Sequence, residues 1–114
     1  HHSCFALRQE GERMKVYISG PITGQNNYRE RFAAAEELLK KAGYVPINPA
    51  EELAEMPKNT THKEYMEKAI ALLACCEGIY MLEGWENSKG AHIEFEYAAR
   101  NKLTICFERR AEDE

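Results

Sequence analysis

The sequence predicts a single α/β domain, a three-layer sandwich in which helices cover both faces of a mostly parallel sheet of four or five strands. Two observations carry this expectation. Short β-rich apolar runs alternate with stretches whose apolar residues recur at helical spacing, in the order β-α-β-α-β-α-β. A chain of 114 residues also has room for one core and no second catalytic domain. In such flavodoxin-like or Rossmann-like sheets, ligands bind beyond the carboxyl ends of the strands.

The first strand is Lys15-Val16-Tyr17-Ile18-Ser19, which stops at Gly20-Pro21. From Tyr28 to Ala42 the residues Tyr28, Phe32, Ala35, Leu38, Leu39 and Ala42 fall at helical spacing, and Gly43 supplies a stop. Tyr44 to Pro49 reads as a short second strand, whose two prolines remove ladder donors and favour a sheet edge. Glu51 to Thr61 is polar and proline-containing, so it reads as a loop, with or without one helical turn, long enough to act as a flap. A second helix is expected from about His62 to Cys75, with Met66, Ala69, Ile70 and Leu73 as its apolar stripe. Gly78 to Leu82 forms the third strand, Ser88 caps a third helix that runs to about Asn101, and Leu103 to Phe107 forms the fourth strand.

His1 and His2 read as the remnant of a purification tag, and residues 1–13 as that remnant or an N-terminal extension before Met14, a natural start. The run Cys4-Phe5-Ala6-Leu7 is a candidate edge strand. The domain is expected over residues 14–108, with 109–114 as a charged tail.

A net charge of −4 with scattered Lys and Arg argues against a nucleic-acid polymer as partner and against an anionic membrane surface. No apolar run approaches the length of a membrane span and no signal-peptide pattern is present, so a cytoplasmic protein is expected. Cys4, Cys75, Cys76 and Cys106 show neither metal-ligand spacing nor a C-x-x-C motif, and reduced, buried thiols are expected.

Two loops follow strand ends that can carry a site. Gly20-Pro21-Ile22-Thr23-Gly24-Gln25-Asn26-Asn27 leads from a strand into a helix and can turn backbone N–H groups towards an anion. It has neither a P-loop lysine nor G-x-G-x-x-G spacing, so a plain turn is an equal reading. The second loop opens the third helix, where Ala91, Phe95 and Ala98 share a buried face. At the rotation of an α-helix, Glu94 lies about 60 to 70° from the centre of that face, whereas Glu96 points away. Glu94 either serves the helix macrodipole and a nearby cation or is a half-buried carboxylate able to attack an anomeric carbon.

The segments Val16-Tyr17-Ile18-Ser19-Gly20-Pro21-Ile22-Thr23-Gly24 and Ser88-Lys89-Gly90-Ala91-His92-Ile93-Glu94-Phe95-Glu96-Tyr97-Ala98 together resemble the nucleoside 2-deoxyribosyltransferase superfamily. The resemblance spans nearly everything from Met14 to Phe107 and is nearest to small bacterial and phage-type members, which carry a turn similar to Gly84-Trp85-Glu86-Asn87-Ser88-Lys89-Gly90. It implies a homodimer or larger homo-oligomer that cleaves or exchanges the N-glycosidic bond of a nucleoside or nucleoside monophosphate, without a metal or other cofactor. Gly90 and Glu94 match the G-x-x-x-E of the family's nucleophile, Tyr17 its substrate-facing tyrosine, and Gly20 to Gly24 with Ser88 its sugar or phosphate contacts.

Two positions depart from the family pattern. The second helix carries Ala69 where relatives have an aspartate that helps protonate the departing base, and Glu67 projects from a different face. Glu77 precedes the third strand where aspartate is common, and keeps the charge. Trp85 fits two roles, stacking on a base or covering its loop. Asn87 joins it as a candidate contact. His92 falls on the flank of its helix as a surface residue, and Tyr17 fits core packing as well as a site.

The sequence therefore predicts glycosidic-bond chemistry with Glu94 and Tyr17 as catalytic residues. Gly20, Pro21, Ile22, Thr23, Gly24, Glu77, Trp85, Asn87, Ser88 and Gly90 are the expected substrate contacts. The alternative is a nucleotide-binding module that lost its acid at position 69. A phosphoacceptor domain of similar topology is disfavoured because the third strand does not end in aspartate.

Overall fold

Four apolar runs become the strands β1 (Lys15–Ser19), β2 (Val45–Ile47), β3 (Gly78–Met81) and β4 (Thr104–Phe107) in the computed structural model, which describes residues 13–109. Between them lie α1 (Tyr28–Lys41), the single turn α2 (Pro49–Glu52), α3 (His62–Leu73) and α4 (Lys89–Arg100), with a 3-10 turn at Trp85–Asn87. The candidate edge strand at Cys4 to Leu7 lies outside the described residues, as do the rest of residues 1–12 and 110–114.

All strand pairs are parallel, in the order β2-β1-β3-β4. Tyr17 stands opposite Ile47 on one side and Ile79 on the other. The central strand β1 is buried from Val16 to Ser19 because helices cover both faces, which is why it reads as a nearly continuous apolar run. Alternation sends Val16 and Ile18 to the α1 side, where they pack with Phe32, Leu39, Tyr80 and Leu82. Tyr17 goes to the opposite face, into a cluster with Ala69, Leu73, Ile79, Met81 and Ala98 from α3, β3 and α4.

The edge position of β2 agrees with the expectation from Pro46 and Pro49. Pro49 opens α2, and Asn48 caps that turn by accepting from the Ala50 N–H at 2.9 Å. Thr61 and Glu64 form a reciprocal capping box that fixes the start of α3. Among the described residues no helix is long and apolar enough to cross a membrane.

Three sequence expectations shift. Leu38 is 54 % exposed, so the buried stripe of α1 is Phe32, Ala35 and Leu39. α3 ends at Leu73, because the Cys75 and Cys76 N–H groups bond back to Leu72 and Leu73 in a tightened turn. Cys75 is an exposed and Cys76 a buried free thiol, but Cys106 is disulfide-bonded, so the expectation of reduced thiols fails there.

The connection β1–β2 runs to one side of β1, and β3 lies on the other, so the strand order reverses between β1 and β3. A crevice opens at such a switch point. Here the backbones approach closely: a Cβ placed on Gly20 would lie 2.8 Å from Leu82 Cβ and 2.9 Å from its Cδ1. Leu82 is fully buried and cannot swing aside. Gly20→Ala should therefore cost about 1–3 kcal/mol by overpacking. A thermal unfolding midpoint lowered by several degrees is the expected reading, and an unchanged midpoint would show that the β1–β3 junction yields freely.

Candidate functional site

The carboxyl ends of β1 and β3, the first turns of α3 and α4, and the segment from Pro49 to Thr61 enclose a cavity of about 800 Å³. Its volume lies within the range of small-molecule sites. Glu94 reaches it from the second turn of α4. Ser88 caps that helix, accepting from the Ala91 N–H at 3.2 Å, and so sets the rotation that brings Glu94 inward. The buried face of α4 is Ala91, Glu94 and Ala98. Glu94 thus sits at the centre of that face rather than on its flank, and Phe95 is displaced to the side, where it stacks on Trp85 at 4.7 Å.

Both oxygens of the Glu94 carboxylate are held from β1. The Tyr17 hydroxyl donates to Oε2 at 2.5 Å and the Ser19 hydroxyl to Oε1 at 2.6 Å. Tyr17 and Ser19 are two residues apart on a strand, so their side chains share one face. Ser19 was not singled out by sequence reasoning. A polar residue in step with Tyr17 at the end of an apolar run is the signal that marks it.

Among the described residues the partners of Glu94 are two neutral hydroxyls and no cation. Burial pushes its carboxyl up to about 7, against the opposing pull of the Ser19 and Tyr17 hydrogen bonds. Tyr17 is raised well above its ordinary value by burial, then by the charge of Glu94 and the bond to it, so it remains a donor. A carboxylate oxygen has two acceptor sites, and each Glu94 oxygen uses one on these bonds. The remaining lone pairs are available for attack on a carbon in the cavity.

Of the residues expected from sequence, Gly20, Pro21, Ile22, Thr23, Asn87, Ser88, Gly90 and Glu94 line the cavity, with Tyr17 behind Glu94. Three are not brought to it. Gly24 turns outward in a left-handed conformation, with open space where its Cβ would be. Glu77 lies at the amino end of β3, where it accepts from the Lys15 N–H at 3.2 Å, across the sheet from the cavity. Trp85 packs on Phe95, His92 and Phe107, so it covers its loop and has its ring occupied by protein. His92 is exposed, with Nε2 2.9 Å from the Glu86 carbonyl oxygen.

Ala69 is fully buried beneath Tyr17 and does not reach the cavity. The α3 residues that do are His62, Tyr65 and Met66, none of them acidic. Arg31 also lines it, donating to the Glu83 carbonyl at 2.8 Å and to Glu108 at 3.2 Å, while Glu108 accepts from the Glu83 N–H at 2.7 Å. This arrangement ties α1 to the loop after β3. That loop also needs Gly84, whose φ of 91° few side chains tolerate. Among the described residues no cluster of three or more His, Cys, Asp or Glu side chains is arranged to hold a metal ion.

The same segment that builds the sheet, α4 and the cavity, residues 14–107, matches a family described as a domain of unknown function, DUF4406. The chain belongs to the DUF4406 family. No curated protein matches the sequence significantly. The match runs from the residue before β1 to the end of β4, so the Glu94–Tyr17–Ser19 cluster lies wholly within the DUF4406 domain.

Two outcomes follow for this domain. A rise of the Glu94 carboxyl from 4.5 to about 7 in the fold means that the folded state holds the proton more tightly. The associated stability is fully present below pH 4.5 and is lost as pH rises through about 7, amounting to about 3 kcal/mol at roughly 1.4 kcal/mol per pH unit. Glu94→Gln, which never ionises, should escape this loss and unfold at a higher midpoint than the parent at pH 8. Parallel stability–pH curves for the two proteins would contradict the assignment. Ala69→Asp should lower stability by several kcal/mol, since it buries an unpaired acid in the core, and denaturant unfolding reads this directly.

Proposed function

We propose that this DUF4406 domain cleaves or transfers the N-glycosidic bond of a nucleoside or nucleoside 5′-monophosphate, with Glu94 as nucleophile. The observation that carries this reading is a buried carboxylate lining a switch-point cavity, held on both oxygens by hydroxyls and, among the described residues, paired with no cation. A structural glutamate is ordinarily exposed or salt-bridged, because an unpaired buried charge is costly. The resemblance of the Tyr17–Gly24 and Ser88–Ala98 segments to the nucleoside 2-deoxyribosyltransferase superfamily supports the same chemistry.

In this mechanism ionised Glu94 forms a bond to C1′ of the sugar as the C1′–N bond breaks and the base leaves with the bonding pair. Water hydrolyses the resulting ester, or a second base takes the sugar. Tyr17 and Ser19 orient the carboxylate, and their bonds hold its titration near neutrality instead of higher. The Gly20–Thr23 backbone and Ser88 at the start of α4 receive the 5′ end of the substrate. The reading includes a cytoplasmic homodimer or larger assembly.

One observation favours the binding-module alternative: no acid of α3 faces the cavity, so that helix offers the departing base no carboxylic proton donor. Such help is typically worth about 10²- to 10⁴-fold in rate. Slow turnover is therefore expected. Incubation with nucleosides and nucleoside monophosphates should release free base from the parent protein, and Glu94→Gln should reduce release to that of a blank while remaining folded. Saturable binding without release would support the module, and full turnover by folded Glu94→Gln would remove Glu94 from the mechanism. The rate should rise with pH through about 7 as Glu94 ionises, and Tyr17→Phe should move that limb to higher pH. A rate limb that stays near 4.5 in both proteins would contradict the assignment.

A further inference from the structure

Two tyrosines bear on Glu94, and only one is committed to it. The Tyr17 hydroxyl is bonded to the carboxylate. Tyr65, on the first turns of α3, is half-buried and lines the cavity, and its hydroxyl makes no hydrogen bond with another described residue. No buried side-chain polar atom is left without a partner in the described residues, so the Tyr65 hydroxyl is not sealed in the core, and the residue that carries it lines the cavity. Leu53 and Met66 pack in the same cluster as Tyr65, and Met56 and Pro57 extend this wall along the cavity. An apolar wall suits the flat face of a heterocycle better than the hydroxyls of a sugar, and Tyr65 adds one donor to it.

We infer that Tyr65 is a substrate-contacting residue of a heterocycle subsite, its hydroxyl donating a hydrogen bond to the base that departs from the sugar on Glu94. This rests on the glycosidic-bond reading and supplies what Ala69, sealed beneath Tyr17, does not. The contact is a hydrogen bond and not a proton transfer. Burial and then the charge of Glu94 push the Tyr65 phenol up to about 12, so it keeps its proton throughout the working range. The base leaves with the C1′–N electron pair, and the water that later supplies hydroxide to the glycosyl ester supplies the proton the base finally carries. Tyr65 stabilises the developing charge on the heterocycle and returns unchanged. Its weak acidity agrees with the slow turnover expected of this site.

The test measures binding, so it does not depend on turnover. In a Glu94→Gln background, calorimetry compares Tyr65 with Tyr65→Phe for the common nucleosides and nucleoside 5′-monophosphates, and for ribose and deoxyribose 5-phosphates, which lack a base. Loss of one hydrogen bond should weaken a bound nucleoside or nucleotide about tenfold. Affinity for the sugar phosphates should be unchanged, and so should the thermal midpoint. Equal nucleotide affinity with and without the hydroxyl, or equal weakening of nucleotide and sugar phosphate, would overturn the role of Tyr65 and leave the glycosidic-bond reading standing. If no nucleoside or nucleotide binds either protein, the glycosidic-bond reading itself fails and the subsite fails with it.

Discussion

The burial of one carboxylate between two strand hydroxyls organises this domain. Glu94 is brought to Tyr17 and Ser19 only if α4 sits at one rotation and one height above β1, so this polar contact fixes the register of a helix that otherwise packs through alanines. Ala91 and Ala98 allow close approach but discriminate poorly between registers, since neither has a shape that must be fitted. The contact is unfavourable near neutral pH, because Glu94 must either keep a proton it would lose in water or hold a charge in a dry setting. The surrounding core offsets that cost. Carboxylates perturbed by burial in this way are found at functional sites.

The rest of the architecture serves the same point. Reversal of strand order between β1 and β3 opens the crevice, and the close approach of Gly20 to Leu82 holds its two sides together. Arg31, Glu108 and the Glu83 backbone tie the loop after β3 to α1, so the turn into α4 is braced from the far side of the sheet. Trp85, stacked on Phe95, closes the outer flank of that turn. The cavity therefore has a floor of strand ends and helix starts, and its remaining wall comes from the Pro49–Thr61 segment.

Much of this was legible in the residues. Alternating periods gave the element order, the prolines of the second strand gave its edge position, and the spacing of Ala91, Phe95 and Ala98 put a carboxylate, Glu94, on the flank of a protected face whose centre it in fact occupies. What stayed hidden depended on contacts between distant elements. Trp85 offered a base-stacking ring until Phe95 and Phe107 were seen to occupy it. Glu77 was a candidate through the resemblance, where aspartate is common before the third strand, but it lies at the end of β3 away from the cavity. Ala69 could be placed on the inward side of α3, yet only tertiary packing distinguishes inward to the core from inward to the cavity. Ser19 carried one local signal, its step of two from Tyr17 at the end of an apolar run, whereas Arg31 and Tyr65 lacked a local pattern strong enough to separate them from ordinary helix residues.

DUF4406 membership fixes the domain and leaves its chemistry to the geometry of Glu94. The most direct test of Glu94 as the proposed nucleophile is capture of the covalent product it would form. The protein is mixed with a nucleotide from which it releases base, quenched in acid within a turnover, digested and analysed by mass spectrometry. The account predicts a peptide spanning Glu94 that carries one sugar or sugar phosphate joined as an ester to that side chain. Base release with the sugar joined to another residue, or with no adduct at any quench time, would contradict it.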